Sequence, residues 1–269
     1  MRVIITGGNS GVGAATAARL AADGHRVVIA CRTIPKAERV AAAISGDVTV
    51  AQLDLADLGS VRKFADSVDG VDVLINNAGV LGLPLTRTAD GFEAHMGTNY
   101  LGHFALTCLL GDRIEDRVIC VVSSSYAMSR LQLDDLNWND RKYSTWLAYG
   151  ESKLAVMLFG HELTRRGVRT YLTDPGATNT DITRDASGIV PWIRDHTFRG
   201  FPAHSAQVGA RSTIQAVTTD LPSGSYLAPR FGQWGRPKVT KPRGKARDSA
   251  TARRLWEMSV DLTGCDWPV

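Results

Sequence analysis

Short apolar segments rich in β-branched residues alternate along the chain with longer segments in which apolar residues recur at helical spacing. The short segments predict seven strands, at residues 2–6, 26–30, 48–52, 71–75, 117–122, 169–173 and 225–228. The longer ones predict seven helices, at residues 12–22, 35–44, 58–68, 98–110, 145–166, 203–219 and 248–263. Strands that alternate with helices are typical of a parallel sheet, so the pattern predicts a single α/β domain over residues 1–269.

Two predicted connections, residues 125–143 and 177–201, are longer than most. Long ordered connections in compact domains are often functional, so both are candidate parts of a site. A third stretch, residues 231–245, is rich in proline, glycine and basic residues. It predicts an irregular surface segment before the last helix.

Composition narrows the class of protein. A chain of 269 residues that is 44% hydrophobic and 22% charged is unlike a disordered or fibrous protein. No apolar run reaches the roughly 18 residues that cross a bilayer, and no secretory signal precedes the first strand, so we expect a cytoplasmic protein without a membrane span. Four cysteines, at residues 31, 108, 120 and 265, have neither metal-ligand nor disulfide spacing, so we expect reduced thiols and no metal site.

The formal net charge of +4 is unevenly distributed. Residues 230–254, the basic C-terminal segment, carry nine basic residues and one acid, which leaves a net charge of −4 on the rest of the chain. A general nucleic-acid-binding surface is therefore not expected. The segment could pack across a subunit or attract an anionic cofactor.

The first predicted strand ends in a glycine-rich sequence that leads directly into a helix. Glycines at this junction let the backbone turn sharply and approach a pyrophosphate, while the helix N-terminus presents free N–H groups to the anion. A structural turn would explain the glycines alone, but their place between strand and helix favours a dinucleotide site. The predicted contacts are Gly7, Asn9, Ser10, Gly11, Val12 and Gly13.

The residues after the second and third strands predict the choice of cofactor. Dinucleotide sites that take NAD carry an acid about 20 residues after the glycine loop, to hold the ribose hydroxyls. Here Cys31 and Arg32 occupy that stretch, and an arginine fork suits a 2′-phosphate, so we expect NADP(H), with NAD(H) as the alternative. The alternative interpretation, in which Arg32 is a solvated surface residue, stays open. Asp54, followed by Leu55, is placed to bind the adenine amino group or to cap the next helix.

Tyr149 and Lys153 are four residues apart on a predicted helix, so their side chains share one face. A tyrosine with a free pKa near ~10 is a poor acid or base at neutral pH, and an adjacent ammonium should lower that pKa. Such a pair suits proton transfer at a carbonyl or alcohol oxygen, although the spacing alone is common by chance. A serine from residues 123–125, at the end of the fifth strand, could donate to the same oxygen, and Asn99 could hold a water below the lysine.

In this order, the motifs resemble those of the single-domain short-chain dehydrogenases/reductases over essentially the whole chain. They are residues 6–13, Asn76-Asn77-Ala78-Gly79, Asn99, Ser124, Tyr149, Lys153 and Pro175-Gly176. The resemblance implies a Rossmann-type, doubly wound parallel sheet of seven strands, ordered 3-2-1-4-5-6-7, with helices on both faces. It also implies a nicotinamide cofactor, which Asn77, Ala78, Gly79, Pro175, Gly176 and Thr180 help to bind, and a catalytic tetrad of Asn99, Ser124, Tyr149 and Lys153.

Within that family the chain is most similar to the retinol-dehydrogenase-like oxidoreductases, in residues 133–138 and 101–104. In that subgroup the second serine of Val-Ser-Ser is catalytic, which corresponds to Ser124, and Ser123 and Ser125 remain alternatives. The family's substrate-covering loop corresponds to residues 177–201, which are apolar here, so the resemblance implies a lipophilic substrate. An oligomer contact or simple packing would explain the same apolar residues, and relatives often pair through the helices that begin near Thr98 and Thr145.

The sequence therefore predicts an NADP-dependent oxidoreductase that interconverts a small-molecule carbonyl and its alcohol, with Tyr149 as acid and base. One alternative is an NADP-sensing regulator without catalysis. Another is an enzyme like the sugar-nucleotide epimerases, which normally carry a longer C-terminal substrate domain. Neither the substrate nor the oligomeric state follows from the sequence.

Overall fold

Eight strands form one sheet in the part of the chain that the computed structural model describes, residues 1–178 and 204–268. They are β1 (Arg2–Thr6), β2 (Arg26–Cys31), β3 (Val48–Gln52), β4 (Val71–Asn76), β5 (Ile114–Val121), β6 (Thr170–Thr173), β7 (Tyr226–Pro229) and β8 (Pro237–Thr240). The order is β3-β2-β1-β4-β5-β6-β7-β8. The first seven strands are parallel, in the order that the resemblance implied, and β8 pairs with β7 in the antiparallel direction.

Helices cover both faces of this sheet. They are α1 (Gly11–Ala22), α2 (Ile34–Ala42), α3 (Leu58–Asp66), α4 (Gly102–Leu110), α5 (Thr145–Arg165), α6 (Ala206–Gly209), α7 (Arg211–Thr218) and α8 (Ser249–Thr263). A π-helical turn, Met96–Leu101, precedes α4, so the helix predicted over residues 98–110 has a wider first turn than expected. The helix predicted over residues 203–219 is divided at Ala210 into α6 and α7, and its first residue lies outside the described part.

The strand β8 was missed by the sequence analysis, which predicted irregular structure over residues 231–245. Its four residues show no buried apolar side, since Lys238 and Val239 are both exposed. Lysine and proline on a short edge strand disfavour pairing with other chains. They also leave the strand without the apolar alternation by which a strand is predicted from sequence. The turn between β7 and β8 lies against the residues that follow β6, since the Gln233 carbonyl accepts a hydrogen bond from Ala177 N at 3.4 Å.

The two layers of core lie on opposite faces of the sheet. One contains side chains of α1, α2 and α7, and the other contains those of α3, α4, α5 and α8. In the second layer the Trp256 ring stacks on Phe159, with centroids 5.8 Å apart, and meets the edge of Phe104 at 5.0 Å. The Tyr100 hydroxyl is 2.7 Å from Ser259 Oγ, so α8 is joined to the residues around α4 by a polar contact as well.

All four cysteines are buried and free. Within residues 1–178 and 204–268, no group of three or more histidine, cysteine, aspartate or glutamate side chains could hold a metal ion. No helix in the same residues has the length and apolar character that a membrane span needs.

The packing of α8 on α5 predicts a large effect of Trp256→Ala. Trp256 is 2% exposed, and removing its ring leaves a cavity against Phe104 and Phe159, which should lower the free energy of unfolding by about 3–5 kcal/mol. Urea unfolding followed by circular dichroism measures the change. Leu262→Ala, on the same helix at a side chain that is 39% exposed, is the control and should cost no more than about 1 kcal/mol. Equal effects of the two substitutions would contradict this packing.

Candidate active site

The carboxyl ends of the seven parallel strands lie at one edge of the sheet. The chain leaves β1 toward β2 and β3 on one side and returns to β4 on the other side of β1. Such a reversal opens a crevice between the two flanking connections, and open α/β sheets bind ligands there. The loop after β1, the segment after β4, the residues after β5 and the turn after β6 all border this edge.

The glycine loop after β1 has the shape that a phosphate needs. Gly7 has a φ of +66°, a left-handed conformation that favours glycine. A Cβ on Gly13 would lie 2.5 Å from the Gly7 carbonyl oxygen and 2.6 Å from Asn77 Nδ2, so a side chain would not fit there. The Ser10 side chain makes no capping hydrogen bond to α1, which leaves the N-terminal N–H groups of that helix for an anion. These residues fit a bound pyrophosphate.

The segment after β4 is held against the glycine loop. Thr6 Oγ1 accepts hydrogen bonds from the backbone N–H groups of Asn77 and Ala78, each at 2.9 Å, and Asn77 Nδ2 donates to the Thr6 carbonyl at 2.8 Å. A Cβ on Gly79 would lie 3.3 Å from Asn99 Oδ1 and 3.7 Å from Lys153 Nζ. The predicted Asn77, Ala78 and Gly79 therefore lie between the glycine loop and the predicted catalytic residues.

The structure separates the two interpretations of Asp54. Its Oδ1 accepts a hydrogen bond from the Ala56 backbone at 3.0 Å, within a local turn. The cap of α3 is Asp57 instead, whose side chain accepts from Gly59 and Ser60, so the prediction that Asp54 caps this helix is wrong. Leu55 is buried beside α4. Arg32 follows the last residue of β2 and is exposed, with its side chain toward solvent on the same edge as the glycine loop.

Tyr149 and Lys153 are both buried on α5. Lys153 Nζ donates to the Val121 carbonyl at 3.0 Å and lies 5.9 Å from the centroid of the Tyr149 ring. Burial lowers the pKa of Lys153 to about 8. Burial also raises the pKa of Tyr149 to about 12, against a lowering by a hydrogen bond from Ser123 and with a further rise from the charge of Asp174. The lowered tyrosine pKa expected from the spacing is therefore absent, because desolvation outweighs the lowering by the Ser123 hydrogen bond.

Asn99 fixes the chain around Lys153. Its side chain accepts from Val80 N at 2.7 Å, and its Nδ2 donates to Val80 O at 3.1 Å and to Ser152 Oγ at 3.0 Å. Its backbone carbonyl accepts from His103 Nδ1 at 3.0 Å. Asn99 thus holds the segment after Gly79 and the middle of α5 in one arrangement.

The three serines after β5 have different surroundings. Ser123 is hydrogen-bonded to Tyr149, and it lowers the pKa of that tyrosine, although burial raises it more. Ser124 Oγ accepts a hydrogen bond from Gln233 Nε2 at 2.6 Å. The Ser125 hydroxyl is buried and has no hydrogen-bond partner among the described residues. The geometry distinguishes the three hydroxyl groups, while the choice of Ser124 as the catalytic serine stays a prediction.

Two functional candidates were missed by the sequence analysis. Asp174, at the end of β6 and 2% exposed, accepts from the Gly176 backbone at 2.8 Å and from the Tyr226 hydroxyl at 3.0 Å. Burial raises its pKa, against hydrogen bonds from these groups and from the Ser124 backbone and against the charge of Lys153. Its place at a strand end, directly before Pro175, was a signal that could have found it. Gln233 had no such signal, because it lies far along the chain in the turn before the unrecognised β8.

The Pro175-Gly176 turn follows Asp174 at the same edge. Gly176 has a φ of +69°, and a Cβ there would lie 2.5 Å from the Gln233 carbonyl oxygen. The predicted contact Thr180 lies outside the described residues, as does most of the predicted substrate-covering loop, residues 177–201, of which Ala177 and Thr178 are described.

A buried polar network forms a further wall beside Tyr149. The Tyr143 hydroxyl donates to Glu93 Oε1 at 2.9 Å, and His95 Nδ1 lies 2.8 Å from the same oxygen. Burial raises the pKa of Glu93, but hydrogen bonds from His95 and Met96 outweigh it, so the pKa lies below its ordinary value. An ionised carboxylate can only accept hydrogen bonds, so the His95 proton that faces Glu93 is on Nδ1. The His95 ring centroid is 6.3 Å from that of Tyr149.

Comparison with known proteins agrees with this geometry. The family model described as short chain dehydrogenase matches residues 1–188. Human retinol dehydrogenase 12 is 39% identical over 98% of this chain and 87% of its own length. The crystal structure of an uncharacterised protein from Mycobacterium paratuberculosis is 44% identical, with a TM-score of 0.87 over 100% of this chain and 95% of that one. A short chain dehydrogenase from Burkholderia cenocepacia in complex with NADP is 25% identical, with a TM-score of 0.65 over 84% and 95% of the two chains.

The family match covers more than half of the chain, and the similarity to retinol dehydrogenase 12 extends over nearly all of it. The strand order, with its reversal at β1, agrees with that match. The chain therefore belongs to the short-chain dehydrogenase/reductase family, resembles its retinol dehydrogenases, and is an NAD(P)-dependent oxidoreductase that acts on alcohol or carbonyl groups.

Proposed function

We propose that the protein is an NADP-dependent reductase or dehydrogenase that interconverts a lipophilic carbonyl compound and its alcohol, with Tyr149 as the acid and base. The observation that carries the proposal is the meeting of Tyr149, Lys153 and the serines after β5 at the edge that also bears the glycine loop. An acid, a cation and hydroxyl donors around one crevice suit proton transfer at an oxygen.

The cofactor contacts are assigned by position. The glycine loop and the N-terminus of α1 would hold the pyrophosphate, Arg32 the 2′-phosphate, and the Pro175-Gly176 turn the nicotinamide side. When bound, the nicotinamide supplies or accepts the hydride. Lys153 would hold the nicotinamide ribose, since its ammonium is buried beside Tyr149 and Gly79.

The protein's own residues then handle the substrate oxygen. In the direction of reduction, Ser124 donates a hydrogen bond to the carbonyl oxygen and holds the carbon for attack. Tyr149 protonates the oxygen as the carbon becomes an alcohol, and its high pKa keeps the phenol protonated until then. Ser123, hydrogen-bonded to Tyr149, holds the ring in place. Asn99 joins the segment after β4 to Ser152, which directly precedes Lys153 on α5.

Exposed apolar side chains that are close in sequence to candidate site residues support a lipophilic substrate. Met128, Leu147 and Phe231 are all exposed, and each lies within four residues of Ser124, Tyr149 or Gln233 along the chain. Exposed apolar groups around a polar site are typical of a surface that takes an apolar ligand. The relative named retinol dehydrogenase 12 makes a retinoid-like alcohol or aldehyde the first compound to test.

A consumption assay with NADPH and NADH, across aldehydes, ketones, quinones and retinoid-like compounds, tests the proposed function. We expect turnover of an apolar carbonyl with NADPH, and a kcat/KM with NADH that is about 10- to 100-fold lower, since hydrogen bonds to a charged group contribute ~1.5–3 kcal/mol. Absence of turnover with every compound would contradict the proposed reaction, and equal use of NADH would contradict the assignment of Arg32.

Substitutions at the end of β2 complete that assay. Cys31→Asp combined with Arg32→Ala supplies a ribose acceptor and removes the phosphate contact, so it should shift the preference toward NADH. Arg26→Ala is the matched control, because Arg26 lies at the opposite end of the same strand, paired with Asp47, and should leave the preference unchanged.

The charge of Asp174 predicts a pH dependence. Its carboxylate raises the pKa of Tyr149 and opposes the lowering of the Lys153 pKa by burial, so Asp174→Asn should lower both. Reduction needs a protonated Tyr149, and the alkaline limb of its pH profile should therefore move to lower pH in the variant. The measurement is kcat/KM against pH with NADPH. Tyr226→Phe, which removes a hydrogen bond but keeps the Asp174 charge, should leave the limb closer to its original place; a limb unmoved by Asp174→Asn would refute the electrostatic role.

A further inference from the structure

The turn between β7 and β8, residues 230–236, closes one side of the active-site edge. The turn is held internally by hydrogen bonds from Arg230 N to Arg236 O at 3.0 Å and from Phe231 N to Trp234 O at 2.9 Å. At its tip, the carbonyl of Gln233 accepts from Ala177 N at 3.4 Å and from His204 Nε2 at 3.1 Å. The backbone of the turn is therefore fixed against the Pro175-Gly176 turn without any contribution from the Gln233 side chain.

The Gln233 side chain makes a separate contact, to the predicted catalytic serine. Its Nε2 donates to Ser124 Oγ at 2.6 Å. A serine hydroxyl has one donor hydrogen and two acceptor lone pairs, and the amide uses a lone pair. The hydroxyl hydrogen of Ser124 is then left for another acceptor, and its rotation is restricted.

The backbone of Ser124 is held as well. Asp174 accepts a hydrogen bond from it, while the same carboxylate accepts from Gly176 and Tyr226. Ser123 has a different partner, since its hydroxyl is hydrogen-bonded to Tyr149. Ser124 is thus anchored by its main chain, and its hydroxyl is oriented by one neutral amide donor.

We propose that Gln233 is a positioning residue that acts through Ser124: its amide occupies a lone pair of the hydroxyl and directs the hydroxyl hydrogen to the substrate oxygen. The inference rests on the proposed function and deepens it. It assigns the two adjacent hydroxyl groups to different tasks, with Ser124 on the substrate and Ser123 on Tyr149. It also gives the β7–β8 turn, which the family-like motifs do not include, a part in catalysis through Ser124.

A double-mutant cycle separates this role from a structural one. Gln233→Ala is made alone, with Ser124→Ala, and with Ser123→Ala as the matched background. The readouts are kcat and KM with NADPH and the best substrate of the consumption assay, the Kd for NADPH by fluorescence, and Tm. Binding of the product alcohol to the NADP complex gives a second cycle if turnover of Ser124→Ala is too slow to measure.

In the otherwise unchanged protein, Gln233→Ala should lower kcat/KM by about 5- to 10-fold, the equivalent of a neutral hydrogen bond of ~1–1.5 kcal/mol. The loss should disappear in the Ser124→Ala background and persist in the Ser123→Ala background. The Kd for NADPH and Tm should stay near their original values, because the backbone carbonyl of residue 233 keeps its contacts. Gln233→Glu should be slower than Gln233→Ala, since a carboxylate would accept the Ser124 hydrogen and withdraw it from the substrate.

Two results would overturn the inference while the proposed function stands. One is a full loss from Gln233→Ala in the Ser124→Ala background, which would mean a structural effect. The other is a loss that disappears in the Ser123→Ala background, which would mean that the Gln233 amide acts through Ser123 and not through Ser124. A protein without NADPH-dependent turnover would instead refute the proposed function, and the inference with it.

Discussion

The hydroxyl of Thr6, at the carboxyl end of β1, joins the parts that border the crevice. Its oxygen accepts hydrogen bonds from the backbone N–H groups of Asn77 and Ala78, each at 2.9 Å, and lies 2.8 Å from His103 Nε2. His103 Nδ1 faces the Asn99 carbonyl, so it carries the proton and Nε2 accepts from the threonine. Burial lowers the pKa of His103 to about 4, which keeps the ring neutral. One hydroxyl therefore connects the glycine loop, the segment after β4 and the start of α4.

The surroundings of Tyr149 are buried and contain only a few charged side chains. Lys153 is 3% exposed, and the buried Asp174 carries the opposite charge nearby, beside the backbone of Ser124 and Gly176. The carboxylate of Glu93, which contacts His95 near the Tyr149 ring, accepts hydrogen bonds from His95, Met96 and Tyr143. Unpaired buried charges are costly, and each of these has partners that hold it in one geometry. On the proposed mechanism, this rigidity aligns the tyrosine with the substrate oxygen.

The regular part of this architecture follows from the sequence because most of its parallel strands are buried on both faces. The outer strand β3 is only partly buried, but it is still a short run rich in β-branched residues. The bounds of β1 and β3 match the prediction residue for residue, and the other five parallel strands differ by a few residues at their ends. The edge strand β8 was not predictable in that way, since exposed lysine and proline carry no apolar signal. The contacts of Asp174 and Gln233 depend on side chains that are distant in sequence. The raised pKa of Tyr149 likewise comes from burial, which the spacing of Tyr149 and Lys153 does not reveal.

The proposed mechanism depends on proton transfer by Tyr149 in an NADP-dependent reaction at a carbonyl or alcohol. The most direct measurement is the turnover of Tyr149→Phe beside its Kd for NADPH, because phenylalanine keeps the ring and removes only the hydroxyl. With Tyr149 in this role, NADPH should bind as tightly as before and kcat should fall by about 10²- to 10⁴-fold, the usual contribution of a general acid. Turnover close to that of the unchanged protein, with NADPH still bound, would contradict it.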